Sequence, residues 1–179
     1  MVRLESFTET DFPQLISWLG SERLLKEWSG PTFTFPLTAD QLHGYLQDAN
    51  APQRSERFVY KAIDCETGAT VGHVSLDFIN WDERTARITR VLVGNTEQRG
   101  QGYGRAMINA VLNIGFGELD LQRITLGVYE FNTPAIRCYH RCGFQHVGTL
   151  RHVVRYHDEY WSSVEMCLLK DQWQPAQAA

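Results

Sequence analysis

The sharpest pattern of apolar and polar positions lies in the middle of the chain. Ile88 to Val93 has the β-branched composition of a buried strand. After it, Tyr103, Met107, Ala110, Val111 and Ile114 recur at the i, i+3, i+4 spacing of one apolar helical stripe. Outward from this pair, the pattern predicts a strand at Val2 to Phe7 and helices at about Thr10 to Leu19 and Ala39 to Gln47, with a turn-rich segment from Ser29 to Pro36 between them. Strands follow at about Phe58 to Cys65, Thr70 to Phe78 and Ala86 to Val93. Glu66-Thr67-Gly68 closes the first hairpin and Asn80 to Arg84 the second. A helix over about Gly102 to Leu119, a strand at Arg123 to Tyr129, a short helix at about Pro134 to Cys142, and strands at about His146 to Val154 and Trp161 to Leu169 complete the order. The expected class is α/β (α+β): a mixed central sheet of about seven strands flanked by helices. One domain spans 1–179, with a flexible tail over 172–179.

Composition narrows the classes of function. At 179 residues and 43% hydrophobic content the chain is long enough for one sizeable core and short for two. No apolar run approaches the ~20 residues that span a bilayer, and Met1-Val2-Arg3-Leu4-Glu5 carries no signal-like apolar segment, so no membrane partner and a cytoplasmic location are expected. A net charge of −4 offers no broad basic field for nucleic acid. Cys65, Cys138, Cys142 and Cys167 are too scattered for a zinc ribbon, and no second ligand pair joins Cys138 and Cys142. No metal site is expected, and the cysteines read as reduced thiols in the core.

The chemistry concentrates at Arg99-Gly100-Gln101-Gly102-Tyr103-Gly104-Arg105, between the central strand and the striped helix. Alternate glycines let the backbone approach a ligand closely, and the first-turn amides of the next helix point outward at the positive end of its dipole. Arg99 and Arg105 add charge, so the turn suits a phosphorylated cofactor. The nucleoside-triphosphate loop needs Lys then Ser or Thr after its last glycine; Gly104 is followed by Arg105 and Ala106. The dinucleotide fingerprint needs a third glycine where this chain has Arg105 or Met107. Both templates fail.

Arg-x-x-Gly-x-Gly, at Arg99, Gly102 and Gly104, resembles the pyrophosphate-binding motif of the GCN5-related N-acetyltransferases (GNAT). Asn132-Thr133-Pro134-Ala135-Ile136-Arg137-Cys138-Tyr139-His140-Arg141-Cys142-Gly143-Phe144 is similar to that family's Asn-x-x-Ala-x-x-x-Tyr-x-x-x-Gly-Phe signature, and one helix and one strand separate the two motifs as in the family. The same stretch reads physically as a capped helix: Asn132 or Thr133 at the N-cap, Pro134 in the first turn and Gly143 at the stop. The resemblance covers the whole chain and is strongest to the RimJ/RimL-like branch, whose tail the run from Gly148 to Arg151 with Asp158-Glu159-Tyr160-Trp161 and Glu165-Met166 resembles.

The resemblance implies a GNAT fold whose sheet is splayed at the cofactor site, with acetyl-CoA as cofactor. It places main-chain groups of Val91, Leu92 and Val93 on the pantetheine arm and thioester, and Arg99, Gly100, Gln101, Gly102, Tyr103, Gly104 and Arg105 at the diphosphate. Asn132 is implied at the cofactor or at the helix cap. Tyr139 is implied as the acid that protonates the departing thiolate, against the alternative of a packing tyrosine. The general base stays open among Asp77, Glu83, Glu130, Glu165 and His73. Trp18, Trp28, Phe33, Phe35 and Tyr45 would line an acceptor pocket or else pack as core, and Glu22, Glu27 and Asp40 would draw a cationic acceptor. The implied acceptor is a protein N-terminal amine or an amine-bearing small molecule, with a homodimer compatible. The alternative is a noncatalytic acyl-CoA-binding sensor or scaffold.

Overall fold

Side-chain alternation along a central strand sets the layering. In β2 (Phe58–Asp64), Phe58 and Tyr60 join one buried cluster and Val59 joins another, so the sheet carries a core on each face. The computed structural model describes residues 1–175. Their sheet has seven strands in the order β1 (Val2–Ser6), β2, β3 (Thr70–Asn80), β4 (Thr85–Val93), β5 (Arg123–Tyr129), β7 (Glu159–Leu169) and β6 (Gln145–Tyr156). All neighbours are antiparallel except β4 and β5. The expected mixed sheet is the one observed.

One face is covered by α1 (Phe12–Trp18), α2 (Glu22–Ser29) and α3 (Ala39–Leu46), through Phe12, Leu15, Leu25, Trp28 and Leu42. The other is covered by α4 (Tyr103–Leu112) and α5 (Thr133–Arg141), through Ile108, Val111, Leu112 and Tyr139 with Phe116 beyond them. After α4 the chain continues as one π-helical turn, Asn113–Glu118, which absorbs two glycines.

α2 forms where the apolar pattern predicts no helix. Its signal is local and short: Ser21 caps it by accepting from the Leu24 amide at 3.2 Å, Leu24, Leu25 and Trp28 make the apolar stripe, and Gly30 ends it at φ +59°. Flanking glycines at 20 and 30 make the stretch look like a turn. The tail expectation is corrected at its start. Gln172 closes a short 3₁₀ turn and Trp173 lays its indole on Phe116, ring centres 5.4 Å apart, because the ring buries apolar surface there. Residues 176–179 of the expected tail lie outside the described residues. Among the described residues no helix is long and apolar enough to cross a membrane.

Candidate active site

The parallel ladder between β4 and β5 is only four pairs long, from Thr85 with Arg123 to Ile88 with Leu126. Beyond Ile88 the strands part, and β4 kinks. On its other edge His73 pairs with Leu92 but Ser75 pairs with Thr89, so β4 carries one extra residue, and Arg90 at φ +53° absorbs it. Val91, Leu92 and Val93 follow the bulge, where the edge facing β5 has no strand to pair with.

Two clefts open at this gap. The larger, about 880 Å³, lies between the end of β4, the start of α4 and one face of α5. Val91, Leu92, Val93, Pro134 and Ala135 give it an apolar slot, and Arg99, Arg105, Arg137 and Arg141 give it a cationic mouth. Gly102 caps α4 in the left-handed region at φ +93°, and Gly100 precedes it at φ +82°. A Cβ at either would meet nothing within 4 Å, so bare main chain fronts open space. The first bond of α4 runs from the Ala106 amide to the Gly102 carbonyl at 3.0 Å. The amides of Tyr103, Gly104 and Arg105 are therefore left as first-turn donors toward an anion.

The smaller cleft, about 400 Å³, adjoins the larger one at the gap. Its walls are the end of α2, the residues after it, the parted edges of β4 and β5, and part of β6 and β7. On its floor Arg87 grips Glu165 through two hydrogen bonds of 2.7 and 3.1 Å, and Ser163 donates to Glu165 at 2.7 Å. Five residues line both clefts: Glu27, Trp28, Val91, Asn132 and Tyr139. Tyr139 is 8% exposed, its hydroxyl makes no hydrogen bond among the described residues, and burial holds its phenol well above the ordinary tyrosine range.

Several expected residues lie elsewhere. Gln101 ties its side chain back to the Glu97 carbonyl at 2.9 Å, and Tyr103 donates to Asp64 at 2.5 Å. Neither residue lines the cleft, because each side chain has a nearer polar partner. Asn132 caps α5 by accepting from the Ala135 amide at 3.2 Å while lining both clefts. Of the five expected aromatics only Trp28 reaches either cleft; Phe33 and Tyr45 are core, Trp18 packs against that core, and Phe35 is exposed. Among the candidate bases, Asp77 is buried beneath Arg57 and Arg90, and Glu165 is held by Arg87. His73 is buried and pulled down to about 3, chiefly by burial and then by Arg90, so it is a neutral ring. Glu83 and Glu130 line neither cleft, and of the three acids expected to draw a cation only Glu27 does. The cysteines are free thiols but not core: Cys65 is exposed and the others are half-buried.

Residues 2–145 match the acetyltransferase (GNAT) domain family. The chain belongs to the GNAT acetyltransferase family. It is similar to the aminoglycoside N(6′)-acetyltransferase type 1 of Klebsiella pneumoniae, 27% identical over 154 residues covering 83% of this chain and 76% of that protein. It is also similar to the spermidine N(1)-acetyltransferase of Escherichia coli (strain K12), 30% identical over 129 residues covering 72% and 66%. Among solved structures, spermidine N-acetyltransferase from Vibrio cholerae in complex with CoA and spermine superposes at a TM-score of 0.81, with 23% identity over 96% of both chains. These relatives share the family but do not single out the RimJ/RimL-like branch.

The acetyltransferase is an enzyme whose donor is acetyl-CoA, which sets aside the noncatalytic sensor. The residues present fit that donor: open main chain at Gly100 and Gly102, three first-turn amides and four arginines suit its phosphates, and the apolar slot suits its pantetheine arm. Gly102→Ala is expected to place a methyl group in that open space and to strain the loop by about 1–2 kcal/mol. The dissociation constant for coenzyme A, measured by calorimetry, should rise ~10-fold. An unchanged constant would remove the loop from the binding site.

Proposed function

We propose that the acetyltransferase transfers acetyl directly to a primary amine of a small cationic molecule, in a complex holding donor and acceptor together. The single observation that carries this reading is the shared wall of the two clefts. A free tyrosine hydroxyl and a carboxylate, Tyr139 and Glu27, both stand where donor and acceptor would meet.

Bound acetyl-CoA supplies the activated thioester. Main-chain amides within Val91 to Val93 that face the gap would polarise its carbonyl, since beyond Ile88 that edge of β4 has no β5 partner. Glu27 receives the incoming ammonium group by a charge-assisted hydrogen bond. It is partly exposed, and its partner Arg23 is a surface side chain at 3.0 Å that a cationic acceptor can displace. Tyr139 would give its proton to the leaving sulfur as the C–S bond breaks and recover one from the nitrogen as it becomes the amide, the ammonium's other proton having passed to solvent before attack. Arg99, Arg105 and the α4 amides hold the phosphates. Glu165 and Asp77 are held by arginines and take no proton from the acceptor.

The second wall of the acceptor cleft supports a cation. Tyr129 and Phe131 line it, stacked at 5.6 Å, and Trp161 packs edge-on against both. The Arg23 guanidinium already lies 5.3 Å from the Trp161 ring centre and 5.8 Å from that of Phe131, so this surface accepts positive charge. Relatives named for aminoglycosides and spermidine agree with a small polycationic amine; the protein N-terminus is the less supported acceptor. Cytoplasmic residence accompanies this reading.

The test is a panel with acetyl-CoA, reading thiol release, of spermidine, an aminoglycoside and peptides with varied N-termini. Polycationic amines should show the highest kcat/KM. Glu27→Gln should raise KM for the amine ~10-fold and leave KM for acetyl-CoA unchanged. Peptides preferred over polycations, or an amine KM indifferent to Glu27, would reject the proposal.

A further inference from the structure

Arg90 is an arginine in a place where arginine is costly. Its backbone sits at φ +53°, a region that disfavours a side chain with a Cβ. Its guanidinium is buried, 8% exposed as a side chain, and its Nε has no hydrogen-bond partner among the described residues. What holds it is Asp77, on the neighbouring strand β3 and 1% exposed. Asp77 accepts from Arg90 Nη1 through one oxygen, which also accepts from Thr89 Oγ1 at 2.5 Å; the other oxygen accepts from Arg57 Nε at 2.5 Å. The guanidinium lies over Tyr45, 4.8 Å from its ring centre, and the Trp28 indole donates to the Arg90 carbonyl at 2.8 Å. A buried charge pair that leaves a donor unsatisfied is a poor device for stability. It is a good device for fixing one torsion.

We propose that Asp77 is a positioning residue for acetyl transfer. Through Arg90 it holds the β4 bulge in the left-handed conformation that turns the main chain of Val91 to Val93 toward the thioester. The bulge is one extra residue between two paired positions, so it has alternatives: the excess can slide to a neighbouring residue and restore pairing at Arg90. Anchoring the Arg90 side chain from below, and its carbonyl from α2 above, excludes those registers. Asp77 itself lines neither cleft; its effect reaches the reaction through Thr89 and Arg90, which it binds and which line the smaller cleft, and through the β4 main chain they belong to. The inference rests on the placement of the thioester against Val91 to Val93.

The experiment combines three readouts on the full chain: steady-state kinetics, calorimetric binding of coenzyme A, and the infrared difference band of bound acetyl-CoA carrying a ¹³C-labelled thioester carbonyl. Coenzyme A has no acetyl carbonyl, so it reports on the phosphate loop and slot alone. Asp77→Asn should lower kcat ~10-fold, keep the coenzyme A dissociation constant within about twofold, and move the carbonyl band toward its free-solution frequency. Asp77→Asn with wild-type kcat and band position would overturn the proposal. Should that variant fail to fold, Arg90→Gly and Arg90→Ala decide the matter. Glycine occupies φ +53° without strain, so Arg90→Gly should be at least ~3-fold more active than Arg90→Ala and keep the band nearer its wild-type position. Equal activities, or the reverse order, would overturn it. A wild-type band already at the free-solution frequency would instead refute the placement of the thioester, and the proposal with it.

Discussion

Tyr139→Phe is expected to lower turnover ~10²-fold or more while coenzyme A binding stays within about twofold. The substitution removes one oxygen from a hydroxyl that makes no hydrogen bond among the described residues, and the ring keeps its edge-on contact with Phe144, 6.3 Å between centres. Stability should therefore change little, and a melting temperature near that of the parent enzyme would confirm that only chemistry was lost. The pH profile separates the acid from a packing role. Burial holds the phenol above its ordinary value of 10.0, so the proton it donates is kept to higher pH than a free phenol would keep it. Wild-type kcat should show no decline attributable to Tyr139 up to that value. A falling limb near pH 10 in the wild type that vanishes in Tyr139→Phe would contradict the burial argument, and unchanged turnover would end the acid role.

Gly72→Ala is expected to destabilise the fold by about 1–3 kcal/mol and to weaken coenzyme A binding at the same time. Gly72 lies in β3 opposite Val93, where β3, the end of β4 and α4 meet. A Cβ there would stand 2.5 Å from the Leu92 carbonyl oxygen and 2.5 Å from Met107 Sδ. Met107 is flexible and can move aside, but the carbonyl is main chain. Relief must come from displacing the end of β4, which carries the slot, or from tilting α4, which carries the amides. Denaturant unfolding and calorimetry should change together. A loss of stability with an unchanged coenzyme A constant would show that β4 and α4 yield without disturbing the site.

Much of the donor half was legible in the amino-acid sequence because it is built from local rules. Glycines flanking a helix start, an asparagine cap and a glycine stop are short-range signals, and Gly102, Asn132 and Gly143 stand where those signals put them. The strands alternate cleanly, so β5 was placed at its observed bounds. The acceptor half was legible only in part because it is assembled from distant pieces. Glu27 was one of three equivalent acids until α2 formed and brought it beside Tyr139, and α2 itself was hidden between two glycines. Phe33 and Tyr45 looked like pocket walls, but the guanidinium of Arg90 lies over both rings inside the core. Nothing in the order of residues announces that an arginine on a strand will take a positive φ; the pairing of β3 with β4 decides it.

In the proposed reading main chain at a bulge and a helix start grips the donor, whereas side chains from α2 and the corner after β5 meet the acceptor. Apart from the five residues that line both clefts, the two sets are separable. Changing Phe131 or the residues after Ser29, which line the smaller cleft alone, is expected to retarget the enzyme without retuning its handling of the thioester, so new amine preferences can be grafted onto an untouched catalytic chassis.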